Sequence, residues 1–516
     1  MASRNKQHDK ISTLTLTMII YFGVCGGPIG SEPLIGTLGP AVGLVAIIIY
    51  PIICGAPQSF ITAEFSTVFK GEGGFLSWVH ASFGNKRLLK FCAYMNYICM
   101  VCDAAVYPGL AITYASTLFP ELLNLSWITA YVYKSIYTIV LFGLLLLGIR
   151  PVGVALNVLL ALVLFPSFLL FMFGIFQVDY TKDRSHNVQP KTIDEANHNI
   201  FYFLNVLIWN YSAFDQVSLV STEVEDAGRQ YPRAISASLI LVVSTYIFPL
   251  FVAGGVTENY TDLTEGSLPN VGYQVAGLWL KAMLCFGSIF SAMGLFMITS
   301  YEAIFLWAGM ARLKLLPQNL TSTERTDTGI PRVGAIITFV LLIFFNTYNF
   351  EEILTFTNTA GSVCVILQFA STLILRVYHP RLDRGYKIPI ESNVWYAIIL
   401  IPTFAIQIFY VCYVIVNQLS SLAKGDKNVS NDVFMILKSI LVVAPVCFFI
   451  IQLALEVIKG DYGRDEYLED AIFTSAVMEH TLLTSDNTSL KQTDQLLLEH
   501  DDNDDVHHSR GSFGGI

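Results

Sequence analysis

Four carboxylates stand where this sequence is otherwise apolar: Glu32, Asp103, Asp215 and Glu302. A carboxylate at bilayer depth is costly unless it faces a polar cavity or a partner. No histidine lies in the middle of an apolar run, and lysines are confined to run ends, so no obvious cation neutralises the four acids. Two accounts compete for such a field. The acids are neutral, hydrogen-bonded structural groups, or they bind cations, whether sodium, protons or an amine. Four merely structural acids in one bundle is the harder case to make. Glu64 lies toward one end of the second run, and Glu223 and Glu225 close the sixth, with Glu223 as an accessory candidate. Tyr107, Trp209, Tyr211 and Phe214 lie about a turn from these acids and offer ring faces to an ammonium. Aromatics make up 13% of the chain, and most membrane aromatics pack or form interface belts. Proximity to an interrupted helix lifts Trp209 and Phe214 above that background.

The elements that must hold these groups are membrane helices. Of the 516 residues, 54% are apolar and only 14% charged, against about 25% charged in ordinary globular chains. The mean hydropathy is +0.56. Twelve apolar runs of spanning length recur near 11–38, 40–68, 88–118, 127–148, 152–177, 200–222, 234–256, 275–308, 331–347, 351–377, 394–418 and 433–458. Residues 75–83 read as a short amphipathic helix at the membrane interface. Residues 1–10 form a polar N-terminal segment, and the first run reads as a retained helix rather than a signal peptide. Residues 11–458 are the membrane domain. Residues 459–516 form an acidic, aperiodic tail that suits a disordered cytosolic segment. Within the tail, Asp494-Gln495-Leu496-Leu497-Leu498 has the form of an acidic dileucine sorting signal, against the alternative of a chance leucine cluster.

Lys and Arg crowd the loops that share a side with the N-terminus, which places both termini inside. The sequons at Asn124, Asn259 and Asn428 then fall in outer loops, and Lys134, Lys281 and Lys438 snorkel at outer helix ends. The nine cysteines form no CxxC pair and read as buried thiols. There is no Walker A loop, no metal-ligand spacing, no nucleophile–base constellation and no basic patch. The reading is therefore no enzyme, no cofactor, no metal site, no catalytic residue and no nucleic acid.

Two of the runs cannot be plain helix. Gly26-Gly27-Pro28-Ile29-Gly30-Ser31-Glu32 interrupts the first, because three glycines and a proline do not continue an α-helix. Five spans later, Asn210, Ser212, Asp215, Gln216 and Ser218 place five short polar groups within nine residues of the sixth. Such side chains compete for backbone hydrogen bonds and favour irregular conformations. Breaks at matching places predict an all-α integral membrane fold of twelve helices in a five-plus-five inverted repeat, with helices 1 and 6 interrupted around a binding site.

These motifs resemble the amino acid–polyamine–organocation superfamily, and within it the eukaryotic polyamine uptake transporters. The resemblance runs from about Thr13 to Lys459. It is carried by Gly26 to Glu32, Thr62-Ala63-Glu64, Gly73-Gly74, Asp103-Ala104-Ala105-Val106-Tyr107-Pro108, Trp209-Asn210, Phe214-Asp215, Thr222-Glu223-Val224-Glu225, Ile247-Phe248-Pro249-Leu250, Gly309-Met310-Ala311 and Tyr386-Lys387-Ile388-Pro389-Ile390. It implies alternating access around a central site. Gly26, Gly27 and Gly30 would hold substrate near exposed amides, and Trp209 would occupy a gate position over it. Asp215 would bind substrate or couple protons, with Glu32 beside it in the coupling role. Glu32 and Asp103 match acids typical of the plant polyamine cluster. The chain departs from that pattern at Pro33, at Gln58 and at Thr299, positions that are often acidic there. Glu302, three residues after Thr299, shares its helix face and replaces one lost charge.

The function expected is proton-coupled import of polyamines or cationic amino acids across a bilayer, with sodium coupling kept open. A neutral or cationic amino-acid transporter or exchanger is the alternative, and a nutrient sensor with vestigial transport a third. The plasma membrane is the expected location, with an endolysosomal or vacuolar membrane as the alternative. The substrate set is Gly26, Gly27, Gly30, Glu32, Asp103, Tyr107, Trp209, Phe214, Asp215 and Thr299, with Glu302 and Glu223 accessory.

Overall fold

A computed structural model describes residues 12–70, 73–181, 193–224, 226–317, 320–321, 326, 328–424, 464, 467–469 and 471–472. The twelfth run, the dileucine, Asn428, Cys447, Glu225 and the Glu223 side chain lie outside the described residues. Within them the chain is built from helices.

The first run splits into α1 (Thr13–Val24) and the single turn α2 (Pro33–Gly36). Ser12 caps the start of α1 by accepting from the Thr15 N–H at 3.2 Å. Gly26, at φ +60°, ends the helix in a left-handed conformation open to glycine at no steric cost. Pro33 sits at the first position of α2, where its missing N–H is not needed. The second run is α3 (Pro40–Tyr50) and α4 (Ala56–Phe65), joined without a gap through a π turn at Pro51–Gly55. Next come α5 (Leu76–Phe83), α6 (Lys86–Ser116), α7 (Trp127–Leu145) and α8 (Ile149–Gly174). Then α9 (Ile193–Asn210) stops at an irregular stretch and resumes as a 3₁₀ segment, Gln216–Glu223. The remainder is α10 (Ala227–Val256), α11 (Leu268–Ala276), α12 (Leu278–Arg312), α13 (Arg332–Phe345), α14 (Phe350–Tyr378) and α15 (Asn393–Lys424).

Among the described residues, eight helices are long and apolar enough to cross a membrane, and Thr13–Val24 and Arg332–Phe345 are shorter apolar helices. The interrupted α1 and α9 fall short of that length for the reason the sequence gives. At the centre, α6 packs between α12 and α14, while α1 lies against α10 and α12. The outward faces are apolar. Ile136, Ile139, Val140 and Leu144 on α7 and Ile240 on α10 are exposed, which suits lipid and no aqueous solvent.

Two features differ from expectation. Helix α5 exists where predicted, but all eight of its residues are buried. Ser82 donates to the Ser371 carbonyl of α14 at 3.1 Å, so α5 is a packed interior helix and not an interfacial one. A short apolar periodicity does not say whether lipid or protein covers it. Lys134 does not snorkel either. Its Nζ donates to the carbonyls of Asn346 (3.4 Å) and Tyr348 (3.0 Å) just past the end of α13, where a cation meets the negative end of the helix dipole.

Candidate functional site

The two breaks meet at the middle of the bundle, beside a cavity of about 770 Å³. In the second break, Ala213 holds φ +69°, a conformation that costs a non-glycine residue energy and is found mainly at functional turns. That kink carries Asp215 onto the cavity wall. Its companions there are Asp103 of α6, and Thr299 and Glu302 of α12. No lysine or arginine lines the cavity.

Each aspartate is held by protein donors. Asp215 accepts from the carboxamides of Gln58 (3.0 Å), Gln216 (3.0 Å) and Gln368 (2.6 Å), which reach it from α4, its own segment and α14. Asp103 accepts from the Trp209 indole N–H at 2.6 Å, the Tyr107 hydroxyl at 2.9 Å and the Thr299 hydroxyl at 3.4 Å. Trp209 and Tyr107 thus orient a cavity carboxylate from behind it, and neither lines the cavity. The Trp209 ring also covers the first break: a Cβ on Gly30 would lie 2.7 Å from it.

The remaining residues of the expected set lie elsewhere. Gly26, Gly27 and Gly30 are packed rather than cavity-lining. A Cβ on Gly26 would fall 2.5 Å from Leu295, and one on Gly27 2.6 Å from Val163. Phe214 is fully buried and does not line the cavity. Glu32 is also fully buried away from it. It accepts from the Tyr114 hydroxyl at 2.7 Å and the Leu268 N–H at 3.3 Å, so it ties α2 to α6 and to the start of α11. Tyr114 in turn accepts from the Gly30 N–H at 2.8 Å, so one phenol serves both the freed backbone and the carboxylate. Tyr114→Phe should therefore lower stability by about 2 kcal/mol through two buried polar groups left unpaired. A thermal unfolding midpoint indistinguishable from wild type would contradict this.

The cavity wall also carries neutral groups that no expectation named as site residues: Asn96, Gln368 and Gln407, together with Gln58, noted only as a lost charge. Their signal was present, since a carboxamide in the middle of an apolar run needs a partner as surely as an acid does.

A multi-pass membrane bundle with an enclosed, cation-free, acidic cavity between two interrupted helices is a membrane transporter. The amino acid permease family matches residues 11–448, and the chain belongs to that family. It is 30% identical over 385 residues to polyamine transporter RMV1 of Arabidopsis thaliana, covering 74% of this chain and 76% of that protein. It is 26% identical over 399 residues to polyamine transporter PUT1 of Oryza sativa subsp. japonica, covering 77% and 73%. Transporters, and no enzymes, are what it resembles.

Proposed function

We propose that this chain imports polyamines or cationic amino acids by alternating access, driven by protons, through twelve spans in a five-plus-five repeat. The observation that carries the substrate class is the cavity wall: three carboxylates, Asp103, Asp215 and Glu302, and no basic side chain. Such a wall lowers the cost of dehydrating a cation and raises that of an anion. The polyamine transporters among its relatives point the same way. An amino-acid substrate needs donors for its α-carboxylate. The Gly30 N–H, the clearest such donor at the first break, is already bonded to Tyr114. Asp215 is the coupling group in this reading, since a carboxylate whose partners change between the outward and inward states changes its proton affinity with them. Both termini face the cytosol, and the plasma membrane is the site of action.

Purified protein in liposomes with an imposed proton gradient tests this against putrescine, spermidine, arginine and leucine. Labelled spermidine should accumulate and excess putrescine should block it. If neither polyamine accumulates or competes while arginine or leucine does, the polyamine reading is wrong.

A further inference from the structure

Three acids share the cavity, but they are not equivalent. Asp103 and Asp215 each accept three hydrogen bonds from the protein. Glu302 is 4% exposed and stands on the cavity wall. No hydrogen bond or ion pair with any described residue reaches its carboxylate. An unpartnered buried carboxylate is far more costly than one that is hydrogen-bonded.

What faces it increases that cost. A Cβ on Gly23 would lie 3.5 Å from Glu302 Oε1, so the carboxylate abuts the last turn of α1. The chain turns away there: the Cys25 and Gly26 N–H groups both bond back to the Tyr21 carbonyl. Among the described residues, the carbonyls of Phe22, Gly23 and Val24 receive no hydrogen bond. A helix end with free carbonyls carries partial negative charge. Two negative features, a carboxylate and a helix C-terminus, therefore face each other with nothing positive between them. Nearby on the wall, the side-chain oxygens of Gln216, Gln368 and Gln407 have no donor. The unmet need is for a cation with several N–H groups.

We propose that Glu302 is the anchor for a primary ammonium of the substrate, seated between α12 and the carbonyl end of α1. The assignment rests on the amine-transport reading above. Asp103 and Asp215, already held by the protein, shape the cavity around that ammonium, and Glu302 makes the ionic contact.

The test is putrescine binding to the purified full chain, measured for wild type, Glu302→Gln and Glu302→Asp. Gln should weaken binding about 10- to 100-fold, the loss expected for a hydrogen bond to a charged group. Asp, which keeps the charge on a shorter arm, should fall between. The advantage of putrescine over n-butylamine should persist in wild type and shrink in the Gln variant, a change that a purely structural role would not produce. A second measurement needs no variant. Carbodiimide labelling of Glu302, read by mass spectrometry, should be suppressed by putrescine and not by 1,4-butanediol. Undiminished putrescine binding by Glu302→Gln, or labelling unaffected by saturating putrescine, overturns the assignment and leaves amine transport standing. Equal suppression by sodium chloride overturns it in favour of a metal cation. Failure of wild type to bind any amine overturns the assignment together with the functional reading.

Discussion

Glu64→Gln should lower the thermal unfolding midpoint further than any cavity substitution, at a cost of roughly 3–5 kcal/mol or more. Glu64 is fully buried at the end of α4 and accepts from Arg376 Nη2 at 2.7 Å and Nε at 3.3 Å. Arg384 Nε lies 3.2 Å from the same carboxylate, and the Ile388 N–H donates to it at 3.0 Å. The two arginine side chains are each about 2% exposed. The Arg376 guanidinium also covers the Tyr396 ring at 4.0 Å and donates to the Ile390 carbonyl at 2.9 Å. One carboxylate thus holds two guanidiniums and the chain between α14 and α15 against α4. Removing it leaves two buried positive charges with no counter-charge, and the loss exceeds what the cluster contributes net. Replacing Glu64, Arg376 and Arg384 together by apolar residues of similar volume should therefore recover most of the midpoint. A single Glu64→Gln variant as stable as wild type would show that these charges are solvated in the native protein.

Asp215→Asn should give the opposite pattern, with proton-driven uptake lost to background in a protein that is folded and inserted. The substitution is nearly isosteric. Its three partners are carboxamides, which can rotate to offer oxygen to the new amide group, so the cost stays within the 1.5–3 kcal/mol of a charge-assisted hydrogen bond. What disappears is the one group in the second break that can gain and lose a proton. Uptake with an unchanged pH dependence would remove Asp215 from the coupling role. Measured side by side, Glu64→Gln reports on the scaffold and Asp215→Asn on transport.

Much of this was legible in the residues. Gly26 to Gly30 and Ser212 to Gln216 announced both breaks because backbone preference is local, and local chemistry is written in order along the chain. Depth was legible as well: Asp103, Asp215, Thr299 and Glu302 were singled out for sitting in mid-run, and all four line one cavity. Azimuth was not. Glu32 and Glu302 look alike in the sequence, yet one is enclosed by Tyr114 and the Leu268 N–H while the other faces the cavity. In a uniformly apolar helix no periodicity distinguishes the face toward lipid from the face toward a neighbour. The same blindness misplaced α5 at the interface. Pairings across the chain were hidden for a related reason. Arg376 counted as one more loop-side basic residue, and only the packing of α14 against α4 brings it to Glu64, 312 positions away.

The π turn at Pro51–Gly55 has a consequence for what length changes the second span can tolerate. A π turn accommodates an extra residue within a helix, and each residue of regular helix advances about 100° around the axis. Ahead of the turn, Val42, Val45, Ile48 and Ile49 present an exposed apolar face. Beyond it, Gln58 meets Asp215 and Glu64 meets Arg376. The wide turn therefore acts as a phase setting between a lipid-facing half and a protein-facing half. Deleting one residue there would restore regular geometry locally and rotate everything downstream by most of a right angle or more, releasing a cavity carboxylate and the Glu64 cluster in one step. Side-chain substitutions at the same positions leave the phase intact, so this segment is far more tolerant of changes in identity than of changes in count.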